Sequence, residues 1–145
     1  MLEIKNITKS FRQRGMVLNE LTLNVNEGDS VSIAGPSGSG KTTLLNIIGL
    51  LDKPDSGDVL FRGVRILDYD QDSSASYRNQ NVGFVFQEHL LLPYLTVKEN
   101  ILLPLLASNL SGNEFDKRVE DAVEMMKKTG IADLAGKYPG QISGG

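Results

Sequence analysis

The chain has 145 residues, 40% hydrophobic and 23% charged, a composition that suits one folded domain with a real core and argues against disorder. Its 18 acidic and 15 basic residues are spread along the chain and leave a net charge of −3, which gives no support for a general nucleic-acid or anionic-membrane surface. The absence of cysteine excludes disulfides and thiolate metal sites, and no apolar stretch approaches a bilayer span.

Met1 to Lys5 alternates and lacks the apolar core of a signal peptide, so the chain is expected to be soluble by itself and to need a partner for any work at a membrane. Leu2 to Ile7 reads as a short strand. Phe11 follows, beside Arg12, Gln13, Arg14 and Gly15, which read as an exposed loop. Leu21, Leu23 and Val25 alternate with Thr22, Asn24 and Asn26, predicting a half-buried strand. Glu27-Gly28-Asp29 is a turn, and Ser30 to Ala34 reads as a buried strand.

That strand enters Gly35-Pro36-Ser37-Gly38-Ser39-Gly40-Lys41-Thr42, which fits G-x-x-x-x-G-K-[ST], the phosphate-cradling P-loop. Glycines let the backbone curl so that successive N–H groups point at phosphate oxygens. Lys41 adds a point charge near the β- and γ-phosphates, and the Thr42 hydroxyl suits Mg²⁺. From Lys41 a helix is predicted whose N-terminal dipole favours the same anion. A purine nucleoside triphosphate with Mg²⁺ is the expected ligand; the alternative is a Gly-rich turn that fits by accident.

Leu44, Leu45, Ile47, Ile48 and Leu51 give that helix a buried face. Pro54-Asp55-Ser56-Gly57 breaks the chain, and Val59 to Phe61 restarts as a strand. Gln71 to Ser76 reads as loop or helix start, and Val82 to Phe86 as another strand. Thr96-Val97-Lys98-Glu99 is a capping box opening a helix that Pro104 should end or kink near Leu103. Ser111-Gly112-Asn113-Glu114 offers a second such start. Phe115, Val119, Ala122, Val123 and Met126 mark one face of the helix that follows, and Gly130 can stop it.

Taken in order, these motifs resemble the ATP-binding cassette family, the nucleotide-binding subunits of ABC transporters. Gly35 to Thr43 is close to the family's Walker A form, and Phe84-Val85-Phe86-Gln87 to its Q-loop. The stretch from Leu91 to Asn100 is similar to the segment that usually follows that glutamine. Ile142-Ser143-Gly144-Gly145 looks like the start of the LSGGQ signature, with Ile for Leu. Within the family the resemblance leans to the branch serving lipoprotein release and macrolide or peptide export.

The resemblance implies an α/β fold of the P-loop cassette type. Residues 1–95 would form a β-rich nucleotide-binding core with P-loop and Q-loop, and 96–145 the start of a helical subdomain ending at the signature. It implies ATP and Mg²⁺ as ligands, held by Gly35, Pro36, Ser37, Gly38, Ser39, Gly40, Lys41, Thr42 and Thr43. Lys41 and Gln87 would be the catalytic groups and Thr42 and Gln87 the metal ligands. Phe11 stands where the family stacks an aromatic on adenine; the alternative is a core or strand-end aromatic. Gln87, at the end of an apolar strand, would contact Mg²⁺ or the lytic water and sense the transmembrane partner; the alternative is a solvated amide. Ser143, Gly144 and Gly145 would bind the γ-phosphate of ATP on an opposite subunit, as a hydroxyl and glycine N–H groups at a helix start can; the alternative is a flexible tail. His89, two residues past Gln87, receives no catalytic role. The implied partners are a transmembrane permease and a second cassette in a head-to-tail dimer sandwiching ATP, at the cytoplasmic face of the plasma membrane, with no nucleic acid.

One family element is missing. No four apolar residues precede an Asp-Glu pair, so the sequence contains no Walker B strand or catalytic glutamate. Phosphoryl transfer needs a positioned water, metal ligands and charge stabilisation together. The expectation is therefore an N-terminal part of a longer ATPase, or a truncated product, with negligible hydrolysis in isolation. Two other readings stay open: a nucleotide-binding module without catalysis, and a P-loop kinase of the guanylate kinase type.

Overall fold

The computed structural model describes residues 1–86, 90–106, 108 and 110–143. They form two compact units, Met1–Val82 and Gly83–Gly145.

The first unit is a four-stranded antiparallel sheet with two helices. Strands β1 (Leu2–Phe11) and β2 (Gly15–Val25) make a hairpin, and β3 (Ser56–Phe61) and the short β4 (Val64–Arg65) complete the order β2-β1-β3-β4. Ile4 and Ile7 are both fully buried although they are three positions apart. Strict alternation would turn one of them outward. The β1–β2 register shifts between these residues, where Asn6 takes φ 51°, and Glu20 on β2 is similarly irregular at φ 47°. Side chains mend the broken ladder. The Asn6 N–H donates to Thr22 Oγ1 (3.0 Å), and the Glu20 N–H donates to Thr8 Oγ1 (3.2 Å). This bulge carries β1 on to Phe11, four residues past the predicted end.

Helix α1 (Lys41–Ile48) lays Leu44 and Ile47 on the sheet, where they join Ile4, Ile7, Leu18, Val59, Ile66 and Tyr77 in the core. The predicted apolar face of α1 is narrower than its sequence suggests, because Leu45 and Leu51 are each 50% exposed. Helix α2 (Gln71–Asn81) occupies the stretch whose polar start left loop or helix open. Asp70 caps it, accepting from the Ser73 N–H (2.8 Å), and this bond holds the Asp70 carboxyl below its ordinary pKa. Tyr77 anchors the helix in the core, with Phe61 and Tyr69 edge-on to its ring, and burial pushes its phenol above the usual value.

Two predicted strands are corrected. Neither 30–34 nor 82–86 pairs with a described strand. A strand needs a hydrogen-bonded neighbour, and no described segment supplies one for either. Val31 is accordingly 48% exposed and Val85 fully exposed, although Ile33 still packs on the core. Phe84 and Phe86 stack with centroids 5.3 Å apart, as i and i+2 side chains of an extended segment can.

In the second unit, α3 (Val97–Leu106) opens with the predicted capping box. The Thr96 N–H donates to Glu99 Oε2 (2.7 Å), and the Glu99 N–H donates to Thr96 Oγ1 (3.3 Å). The Thr96 N–H and hydroxyl, both donating to Glu99 Oε2, hold that carboxyl below its ordinary pKa. Contrary to expectation, Pro104 does not end the helix, which runs on to Leu106. Its missing N–H costs one bond in the last turn, where little helix remains to be disrupted. Helix α4 (Asn113–Lys128) starts beside the predicted site, but Gly112 is its N-cap and no side chain bonds there. It ends in paired bonds, Ile131 N–H to Met126 O (2.9 Å) and Gly130 N–H to Lys127 O (3.1 Å), the glycine stop that Gly130 predicts. Among the described residues of this unit, Val97 and Met126 are buried.

Candidate nucleotide site

The P-loop lies in the first unit, between the unpaired segment 30–34 and α1. Gly38 and Gly40 take φ of 81° and 90°, left-handed values that let the backbone curl without Cβ strain. Gly40 is also the N-cap of α1, and the Leu44 N–H donates to its carbonyl at 2.8 Å. A Cβ on Gly40 would lie 2.8 Å from Val17 O and 2.9 Å from Leu18 Cδ2. The start of the phosphate helix thus rests directly on strand β2.

Lys41 folds back over the loop. Its ammonium donates to Gly35 O (2.8 Å) and Pro36 O (2.7 Å), with Ser39 Oγ at 3.5 Å. The charge is held at the centre of the curl by carbonyls that do not neutralise it. The Ser39 N–H donates to Pro36 O (3.3 Å), closing a turn within the loop. Thr42 is exposed, so its hydroxyl is accessible at the helix start.

No side chain caps α1, and its first turn holds no acidic residue. Helices α2, α3 and α4 each carry an acid there: Asp72, Glu99, and Glu114 with Asp116. A carboxylate in the first turn of α1 would compete with a phosphate for the same N–H groups. The donor set fits a nucleotide triphosphate: an uncapped helix N-terminus, left-handed glycines, and one ammonium among them. The exposed Thr42 hydroxyl would be available to hold a magnesium ion, which would supply charge neutralisation to the phosphate. Among the described residues no cluster of three or more acidic, histidine or cysteine side chains could hold a metal without phosphate help.

Phe11 ends β1, pairs with Gly15 across the hairpin and is 39% exposed. The Lys9 ammonium lies over the Phe11 ring, 5.2 Å from its centroid. In the second unit Ser143 is exposed. Gln87 and His89, like Gly144 and Gly145, lie outside the described residues. The segment leading to Ser143 is anchored on α3, since the Val97 N–H donates to Lys137 O (2.8 Å) and the Lys98 N–H to Ala135 O (3.0 Å).

Sequence reasoning missed several residues that hold this arrangement. Lys9, Asp52 and Asp55 join β1 to the turn after α1. Asn100 binds the 92–96 turn to α3 by donating to Leu92, Leu95 and Thr96 carbonyls and accepting the Leu92 N–H. The available signal was positional: a lysine two residues before the exposed aromatic, and two acids flanking the Lys53-Pro54 break.

A protein-family model described as "ABC transporter" matches residues 18–145. The lipoprotein-releasing system ATP-binding protein LolD of Bacteroides thetaiotaomicron is 42% identical over 145 residues, covering 100% of this chain and 65% of that protein. The macrolide export ATP-binding/permease protein MacB of Shigella flexneri is 40% identical over 148 residues, covering 100% of this chain and 22% of that protein. Among solved structures, the dimeric post-hydrolysis state of the ATP-binding cassette MJ0796 bound to ADP and Pi superposes with a TM-score of 0.87 at 40% identity, covering 99% of this chain and 64% of that one. The chain therefore spans just under two thirds of the length of the single-cassette relatives it matches.

Proposed function

The chain belongs to the ATP-binding cassettes of ABC transporters, in the branch that includes LolD and MacB, and we propose that it binds ATP with Mg²⁺ and couples that binding to transport. The observation that carries this reading is the P-loop itself: Lys41 held over left-handed glycines at an uncapped, acid-free helix start. The likeness to a lipoprotein-releasing and a macrolide-export protein favours export or lipoprotein release over import. The same relatives favour a transmembrane permease as partner, and the dimeric MJ0796 cassette favours a second cassette across an ATP sandwich. Work at the cytoplasmic face of the plasma membrane follows from those partners. Among the described residues no helix is long and apolar enough to cross a membrane.

In this reading residues 1–95 hold the nucleotide and 96–145 carry the helical part with the signature. Lys41 and the N–H groups of Gly38 to Thr43 bind the phosphates, while Gly35, Pro36, Ser37 and Ser39 shape the curl. Thr42 and Gln87 would be the metal ligands, with Gln87 contacting Mg²⁺ or the lytic water and sensing the transmembrane partner. Phe11 stacks on the base. Ser143, Gly144 and Gly145 serve the nucleotide of the opposite cassette. Bound magnesium would neutralise phosphate charge. Among the described residues at the loop, Lys41 supplies charge and Thr42 an accessible hydroxyl.

The test is calorimetric titration with Mg-ATP. Removing a charge-assisted contact costs about 1.5–3 kcal/mol, so Lys41→Ala should weaken binding by about 10- to 100-fold. Unchanged affinity in Lys41→Ala would sink the reading. Phosphate transfer from ATP to a nucleoside monophosphate would replace it with a kinase.

A further inference from the structure

The base platform at Phe11 and the phosphate cradle are distant in sequence, but one turn joins them. Asp52, Lys53, Pro54 and Asp55 follow α1 after Gly49, Leu50 and Leu51, and the Asp52 N–H still bonds Asn46 O of that helix (3.3 Å). From this turn three contacts reach the end of β1, at the residues just before Phe11. The Asp55 N–H donates to Thr8 O (2.8 Å). The Ser10 N–H donates to Asp55 Oδ2 (2.7 Å). The Lys9 ammonium donates to Asp52 Oδ1 (2.8 Å) and to the Lys53 carbonyl.

Lys9 is the unusual member. Its side chain is only 12% exposed, and Asp52 is 31% exposed, so the pair is drawn in from solvent. The ammonium also lies over the Phe11 ring. One cation therefore touches three things: a carboxylate beside the phosphate helix, a carbonyl of the same turn, and the aromatic ring. On the other side of β1, Lys9 pairs with Leu18, whose side chain abuts Gly40 at the helix start. Both ends of α1 are thus referenced to β1 within two residues of Phe11.

We propose that Lys9 is a positioning residue for the base end of the nucleotide. Tethered to Asp52 and Lys53, it fixes the Phe11 ring relative to the turn after α1 and occupies one side of it, which leaves the other side for a purine. A ring held in place loses less rotamer freedom when a base stacks on it, and a cation over an aromatic ring is itself attractive. The proposal rests on the nucleotide reading above and deepens it. It gives Lys9 no contact with phosphate and no part in any bond-breaking step.

Two probes separate this role from a general structural one: Mg-ATP, which has a base, and Mg-tripolyphosphate, which has none. Wild-type protein should bind ATP more tightly than tripolyphosphate. Lys9→Met keeps the unbranched apolar stem of the side chain but not its charge, and should weaken ATP binding by about three- to tenfold with tripolyphosphate unchanged. Lys9→Arg retains a cation over the ring and should recover most of the loss. On a Phe11→Ala background, Lys9→Met should have no further effect. Asp52→Asn, which keeps Lys9 but loosens its tether, should give a smaller loss of the same base-selective kind, and it decides the matter if Lys9→Met does not fold. Equal weakening of both ligands, or additive losses from Lys9→Met and Phe11→Ala, would overturn the proposal while leaving the nucleotide site in place. Wild-type protein that binds neither ligand would overturn the nucleotide reading and the proposal together.

Discussion

Gly40 is where the phosphate loop, the start of α1 and the sheet meet, and replacing it with alanine tests that junction. Two costs act at this position. The backbone sits at φ 90°, and an L-residue held in the left-handed region loses about 1–2 kcal/mol. The new Cβ would also lie 2.8 Å from Val17 O and 2.9 Å from Leu18 Cδ2, one of them backbone, so strand β2 or the helix start must shift. Overpacking of that kind costs about 1–3 kcal/mol more. Gly40→Ala should therefore lose about 2–5 kcal/mol, a large share of the roughly 5–15 kcal/mol that holds a domain together. Gly38 is the internal control. It has a similar φ of 81°, but a methyl group there would meet nothing within 4 Å, so Gly38→Ala should lose only the conformational part. Urea unfolding followed by far-ultraviolet circular dichroism reads the difference as a lower midpoint for Gly40→Ala at an unchanged slope. Equal midpoints for the two variants would show that the contact with β2 carries no strain and that the cradle is not seated on the sheet.

Two further outcomes follow from the same structure. Leu44→Ala should cost about 2–5 kcal/mol because Leu44 is 3% exposed in the core, whereas Leu45→Ala, at a position 50% exposed, should cost less than about 1 kcal/mol; similar losses in thermal melts would contradict the packing of α1. Asp70 and Glu99 have folded pKa values below their ordinary 3.8 and 4.5, through the Ser73 and Thr96 N–H groups respectively. A depressed carboxyl pKa stabilises the fold above the unfolded value and loses that contribution as pH falls through the folded one. Unfolding midpoints should accordingly decline as pH drops below about 4.5, in a way that Asp70→Asn and Glu99→Gln together reduce; an identical pH profile in the double variant would show that the caps are not the source.

Much of this protein is legible locally. The P-loop spacing fixes its own cradle, because left-handed glycines, a lysine and an uncapped helix start are set within eight consecutive residues. The capping box at Thr96 and the stop at Gly130 are equally short-range, each closing bonds within five residues of itself. Strand boundaries were less legible. The bulge at Asn6 depends on Thr22, and no pattern within Leu2 to Ile7 announces it.

The sequence by itself determined the shape of the loop from Gly35 to Thr42, since backbone curl and helix dipole are properties of adjacent residues. Only the tertiary structure decided how that loop is held. Ser30 to Ala34 has the composition of a strand, yet pairing is a relation between segments, and no described neighbour supplies it. Leu45 has the pattern of a core residue, yet burial requires a surface to pack against. Lys9 looks like one of many surface lysines until the fold brings Asp52, 43 positions away, beside it. A charge becomes a tether only when distant chain segments close around it, and no local pattern carries that information.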